Sequence, residues 1–211
     1  IGQNNKKTNA IYKNSPNVEK LLKKYPSSTL VASGEGVGLS KGQMGNSETG
    51  HLNIGAGRIV YQNLSRIDNM IADDSLKNNK VILEIENHVK KSGGKIHLMG
   101  LLSDGGVHSH INHLKYLLKS LSEKGLNLVL HCFLDGRDTK FDSGVNYLNE
   151  IQNFIEKNKI NCEVADIVGR VYAMDRERRF DRVEKAYNML VGKLNDVEIT
   201  ENLQNSLQNS Y

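Results

Sequence analysis

The chain has 211 residues, 38% hydrophobic and 25% charged, the balance of an ordinary globular protein and enough for one large domain or parts of two. Its formal net charge of +4 is small and spread along the chain, which gives no reason to expect a nucleic-acid partner. No run approaches the roughly 20 apolar residues of a membrane span, and the polar start lacks a secretory apolar core. Cys132 and Cys162, each inside an apolar run, are expected as buried free thiols of a cytoplasmic protein.

Taken in order, the chain opens at Ile1-Gly2-Gln3-Asn4, the start expected of a trimmed or processed product. Val18, Leu21, Leu22 and Tyr25 share one helical face, with Pro16 in the first turn and Pro26 as the stop. Ser28–Ser33 reads as a short strand, and Gly34–Gly42 as a loop. Gly42 to Gly57 then spaces five glycines around Ser47-Glu48-Thr49. Glycine lets backbone approach a ligand closely or take positive φ without strain. A serine opening a helix either caps it or meets its unpaired N–H groups and positive dipole end, a setting for phosphate.

Ile59–Tyr61 is expected to be extended, and Asn63–Asp74 to be a polar helix leading into a second unit, with the boundary near Leu64. A rhythm follows: a helix through Ile82, Ile85 and Val89 closed by Gly93-Gly94, and a strand over Lys95–Leu102. Next come a helix over Ser109–Glu123 and a strand over Leu126–Leu134. A helix through Val145, Leu148, Ile151 and Ile155, a strand over Cys162–Val168 and a helix over Asp181–Val191 complete the alternation. Such alternation predicts an α/β fold with a mainly parallel sheet, right-handed crossovers and flanking helices. The Asn/Gln/Ser-rich stretch Glu198–Tyr211 reads as an interrupted helix or frayed tail.

A polar cluster follows each predicted strand directly: Ser103–His110, Asp135–Thr139 and Gly169–Arg176. In an open parallel sheet the carboxyl ends of the strands lie along one edge, and ligands bind there. His108, Arg137, Asp138, Arg170 and Arg176 are therefore expected to meet in one crevice. Arginine forks pair bidentately with phosphate or carboxylate. A carboxylate among arginines stays ionised and accepts a hydroxyl proton, and histidine exchanges protons near neutrality. The set suits a small phosphorylated, carboxylated molecule. Each cluster also has a plainer reading, as a turn whose Arg and Asp pair with each other or as surface arginines. The H-x-H-x-x-H of His108, His110 and His113 lacks the cysteines or carboxylates of a zinc site. Capping or packing is the expected role of His110 and His113.

The glycine-spaced stretch, G-Q-M-G-N-S-E-x-G-H-x-N-I-G-A-G-R-x-V-Y-Q, resembles the nucleophile loop of cofactor-independent phosphoglycerate mutases. L-L-S-D-G-G-V-H-S-H, F-L-D-G-R-D-T and G-R-x-Y-A-M-D-R-x-x-R-x-x-R-V-E-K-A-Y are similar to later signatures of that family, in the same order. The resemblance runs from about Asn9 to the end and implies two partial domains. Residues 1–63 would be a small part of an alkaline phosphatase-like domain, and residues 64–211 much of a phosphotransferase domain.

By the same resemblance Ser47 carries the phosphoryl group and ligates a metal, while His108, Arg137, Asp138, Arg170 and Arg176 bind phosphoglycerate. His51, Asn53 and Arg58 are read as supporting the loop. The resemblance implies that the parent interconverts 3- and 2-phosphoglycerate in glycolysis and gluconeogenesis. It would act through a phosphoserine, with two Mn2+ or Mg2+ ions, no bisphosphoglycerate and no nucleic-acid or membrane partner, as a cytoplasmic monomer. The family's other metal ligands, a second pair of substrate arginines and a lysine are expected outside Ile1–Tyr211, so the chain alone is expected to be inactive. The alternatives are a metal-dependent phosphatase- or sulfatase-type hydrolase of the same superfamily or, for the isolated chain, a non-catalytic phosphoglycerate-binding module.

Overall fold

The computed structural model describes residues 14–193, 198, 200 and 202–209. The chain divides into two compact units, Ile1–Val60 and Tyr61–Tyr211. The expectation for the opening residues lies outside the described part.

In the first unit, α1 (Pro16–Lys24) begins with its proline in the first turn and ends at Tyr25, which is extended, as the residue before Pro26 must be. The strand expected over Ser28–Ser33 does not form, and these residues are irregular. A strand needs a partner for its N–H and C=O groups, and among the described residues of this unit there is none. Leu30 and Val31 are accordingly 87% and 66% exposed. The expected loop over Gly34–Gly42 contains one turn of 3₁₀ helix, Gly34–Val37. Then α2 (Ser47–Ala56) runs to Gly57, whose φ of 64° ends it.

The second unit opens with α3 (Asn63–Ala72), a 3₁₀ turn at Leu76–Asn78 and α4 (Lys80–Ser92), which Gly93 closes in the left-handed conformation. The strands β1 (Ile96–Leu102), β2 (Leu128–Leu134) and β3 (Cys162–Gly169) form one parallel sheet in the order β1-β2-β3. Between them run α5 (Ile111–Ser122) and α6 (Gly144–Lys157). The expected α/β architecture is therefore present. Beyond β3 come α7 (Arg170–Ala173), α8 (Phe180–Leu190) and α9 (Leu203–Asn209). The short α7 replaces an expected loop, and α9 is the described part of the expected tail.

The core lies between one sheet face and its helices. Leu128, Leu130 and Cys132 alternate along β2 and meet Leu118 and Leu121 of α5 and Leu148, Ile151 and Ile155 of α6. Leu118, Leu148 and Ile151 have no exposed surface at all. Cys132 is buried and Cys162 half-buried, and both are free; the expectation of burial holds fully only for Cys132. What positions the crevice is the register. Leu102 pairs with Leu134 and Leu134 with Gly169, so the three strands stop level at one edge.

Candidate functional site

At that edge the three post-strand loops meet around Asp135, the residue after β2. Its side chain is 1% exposed. One oxygen accepts from Arg170 Nη1 at 2.7 Å and from the backbone N–H groups of Arg137 and Asp138 at 3.1 and 3.0 Å. The other accepts from the Ser103 hydroxyl at 2.6 Å. Burial pushes this carboxyl up, but the Ser103 hydroxyl, the two N–H groups and Arg170 outweigh it and hold its pKa at about 2. One buried carboxylate thus ties the ends of β1, β2 and β3 together. The turn it holds passes through Gly136 at φ 70°, where an added Cβ would press on the Phe141 carbonyl oxygen at 3.3 Å.

Arg170, the first residue of α7, also donates to Asp138 at 2.6 Å. Burial works against its charge, but Asp138 and Asp135 outweigh it and keep the guanidinium firmly protonated. Asp138 stands 3.9 Å from His108 Nε2, too far for a hydrogen bond. In front of this cluster opens a cavity of about 520 Å³, lined among others by His108, Asp135, Arg137, Arg170, Arg176 and Arg182. The side chains of Arg137, Arg176 and Arg182 make no hydrogen bond or ion pair within the limits of one, among the described residues.

The structure therefore brings His108, Arg137, Arg170 and Arg176 to one cavity wall, with Asp138 bonded to Arg170. The plainer reading of D-G-R-D, an internal Arg–Asp pair, does not describe it: Asp138 pairs with Arg170 from another loop, and Arg137 stays open. Sequence reasoning passed over Asp135 and Arg182 as site residues. Asp135 was legible as the first carboxylate after an apolar strand, and Arg182 as the third arginine of R-x-x-R-x-x-R.

Of the neighbouring histidines, the His110 ring accepts from the Asn112 N–H at 3.2 Å, capping α5. His113 Nε2 donates to Asp68 at 2.5 Å. Capping and packing are thus what His110 and His113 do. Among the described residues no group of three His, Cys, Asp or Glu side chains is arranged to hold a metal ion.

Ser47 lies in the first unit. The N-cap of α2 is Asn46, whose side chain accepts from Thr49 N–H at 2.9 Å, so Ser47 is the first helical residue and its hydroxyl is not spent on the cap. The Ser47 side chain is exposed, with Oγ 3.2 Å from His51 Nδ1. That ring nitrogen lies 2.7 Å from the Ser47 carbonyl oxygen, to which it donates. Asn53 is the brace of the loop: its amide donates to the Val37 carbonyl and accepts from Val60 N–H, at 2.9 and 2.8 Å. The supporting role expected of Asn53 is visible here. Gly45 has no room for a side chain, since a Cβ there would collide with the Ala32 carbonyl.

Residues 67–211 match the family model described as BPG-independent PGAM N-terminus. The chain is 48% identical over 199 residues to a 2,3-bisphosphoglycerate-independent phosphoglycerate mutase of Aster yellows witches'-broom phytoplasma, covering 93% of this chain and 38% of that relative. It is 47% identical over 209 residues to the enzyme of that name from Clostridium perfringens, covering 98% and 40%. A crystal structure of Leishmania mexicana phosphoglycerate mutase, solved at low cobalt concentration, matches with a TM-score of 0.73 at 28% identity, over 86% of this chain and 34% of that one. The chain thus spans about two fifths of the length of the curated relatives it matches. With a family match over most of its second unit and relatives of this identity along nearly its whole length, the chain belongs to the BPG-independent phosphoglycerate mutase family.

Proposed function

We propose that the full-length protein carrying this sequence interconverts 3-phosphoglycerate and 2-phosphoglycerate without a bisphosphoglycerate cofactor. The observation that carries the reading is the crevice: three loops at one sheet edge, a cavity lined by four arginines and a histidine, and charge left open toward a ligand. Family membership and the names of the relatives support it. Residues 1–63 act as part of a phosphatase-like domain that carries Ser47, and residues 64–211 as much of the domain that holds the glycerate. The protein works in the cytoplasm, as a monomer, on a small-molecule substrate.

Chemically, Ser47 Oγ is the nucleophile: its bond to phosphorus forms as the bond from phosphorus to the C3 oxygen of the glycerate breaks, the serine proton passes to the released hydroxyl, and the phosphoryl group then returns to the C2 oxygen, freeing the serine. Its place at the start of α2, with free N–H groups and the positive helix end beneath it, favours the added negative charge. Arg137 and Arg176 hold the anionic ends of the glycerate while it reorients, which is largely catalysis by positioning. Arg170, balanced by two carboxylates, keeps the wall rigid and holds Asp138 in place. Asp138 and His108 then exchange protons with the substrate hydroxyls. The family implies a pair of divalent ions, manganese or magnesium. When bound, such ions neutralise charge on the transferred phosphoryl group. Among the described residues no group of His, Cys, Asp or Glu side chains around Ser47 would hold such ions by itself.

Intact-mass analysis of the full-length protein after incubation with 3-phosphoglycerate and manganese tests this directly. The expected result is a phosphate adduct that disappears in Ser47→Ala. An adduct retained in that variant, on another residue, would rule out the assigned nucleophile.

A further inference from the structure

We propose that Arg182 is a further substrate-positioning residue, its guanidinium binding one anionic end of the phosphoglycerate beside Arg137 and Arg176. This rests on the reading of the crevice as the glycerate site.

Four guanidinium groups line the cavity, but they are not equivalent. Arg170 already faces two carboxylates, Asp135 and Asp138, at 2.7 and 2.6 Å. Its charge is balanced before any ligand arrives. Arg137 and Arg176 are exposed and open. Arg182 is different again: it is half-buried, yet forms no ion pair among the described residues. A partly desolvated cation without a partner is costly, and an anion in the cavity removes that cost.

Its position on the helix sharpens the point. Arg182 sits in the first turn of α8 (Phe180–Leu190), an end that already carries partial positive charge and disfavours cations. The acidic residue of that turn, Asp181, faces solvent at 72% side-chain exposure and stands 3.8 Å from Arg179, not from Arg182. Glu177, which also lines the cavity, comes within ion-pair distance of no described cation.

The chain is shaped to bring Arg182 there. Between Arg176 and Arg182 the backbone reverses through Arg178 at φ 62°, a left-handed conformation that is strained for a residue with a Cβ. The Asp175 carboxylate holds that turn by accepting from the N–H groups of Glu177 and Arg179 at 3.1 and 2.9 Å. As a result Arg176 and Arg182 line one cavity although six residues apart, while Arg179 between them does not.

Steady-state kinetics of the full-length enzyme with 3-phosphoglycerate, without bisphosphoglycerate, test the assignment. Arg182→Ala is expected to raise KM about 10-fold or more, the size of a charge-assisted hydrogen bond, with a smaller change in kcat and an unchanged melting temperature. Arg182→Lys, which keeps the charge but not the fork, is expected to recover only part of the loss. Arg179→Ala, outside the cavity, is expected to leave KM unchanged. Should Arg182→Ala fail to fold, isothermal titration of Arg182→Lys with 3-phosphoglycerate gives the same readout as weakened affinity. The proposal is overturned if KM and affinity stay within about twofold of wild type in the Arg182 variants while Arg137→Ala raises KM. If Arg137→Ala is also without effect in an active enzyme, the crevice reading fails, and this proposal with it.

Discussion

At the scale of single residues, Asp135 is the side chain on which the most depends. Its carboxyl has an ordinary pKa of 3.8 and is held at about 2 in the fold. Because the folded value is the lower one, the stabilisation is present above about pH 4 and is lost as the pH falls through about 2. The shift corresponds to about 2 kcal/mol. Urea unfolding from pH 6 down to 2 should therefore show an acid limb that Asp135→Asn makes shallower, along with a loss of roughly 2 kcal/mol of stability at neutral pH. An unchanged acid limb in the variant would place its cause elsewhere. The cysteines give a second residue-scale prediction. Burial pushes the Cys132 thiol up to about 12 and Cys162 up to about 11. Since the thiolate is the reactive form, neither should be alkylated by iodoacetamide at pH 8 until the protein is unfolded. Rapid labelling of the native protein would contradict the burial described for Cys132.

At the scale of elements, the alternation of strands and helices was legible because the period of the apolar residues changes cleanly from one element to the next. Leu128, Leu130 and Cys132 fall on one sheet face, and Leu148, Ile151 and Ile155 on one helix face, as the spacing requires. Leu148→Ala should therefore cost about 2–5 kcal/mol in chemical denaturation, whereas Met99→Ala, at a position 59% exposed, should cost little. Ser28–Ser33 was misread for a physical reason: its composition suits a strand, but pairing is a property of two segments, and composition reports only one. The short α7 was missed because four residues are too few to show a helical period. In the site, the residue types and their place after each strand were legible, but partners were not. Nothing in the sequence says that Asp138 serves Arg170 rather than its neighbour Arg137, or that Asp135 gathers Ser103 and Arg170. Those contacts join residues more than thirty positions apart. Of the two readings of Ser47, opening the helix is the one the structure shows, and the cap is its neighbour. Asn46 holds the capping position, and Asn46→Ala should lower stability by about 1 kcal/mol, visible as faster hydrogen exchange in α2.

At the scale of the whole molecule, the chain carries a candidate nucleophile in its first unit and an arginine-lined crevice in its second, over about two fifths of the length of its curated relatives. Ser47 has a weakly nucleophilic hydroxyl at its free pKa. Its histidine neighbour already donates to a backbone carbonyl, and among the described residues no three His, Cys, Asp or Glu side chains are grouped so as to hold a metal. The 211-residue chain alone should accordingly form no phosphoserine with 3-phosphoglycerate and manganese. A stoichiometric mass gain lost in Ser47→Ala would show that the chain is sufficient for the first chemical step. The central claim is that the crevice at the ends of β1, β2 and β3 holds the glycerate of a mutase that needs no bisphosphoglycerate. It is tested most directly by the turnover of 3-phosphoglycerate by the full-length enzyme, free of bisphosphoglycerate, in wild type and Arg137→Ala. The expected result is turnover in the wild type and a kcat/KM at least about 10-fold lower in the variant. Turnover that appears only when bisphosphoglycerate is added, or that is indifferent to the loss of Arg137, would contradict it.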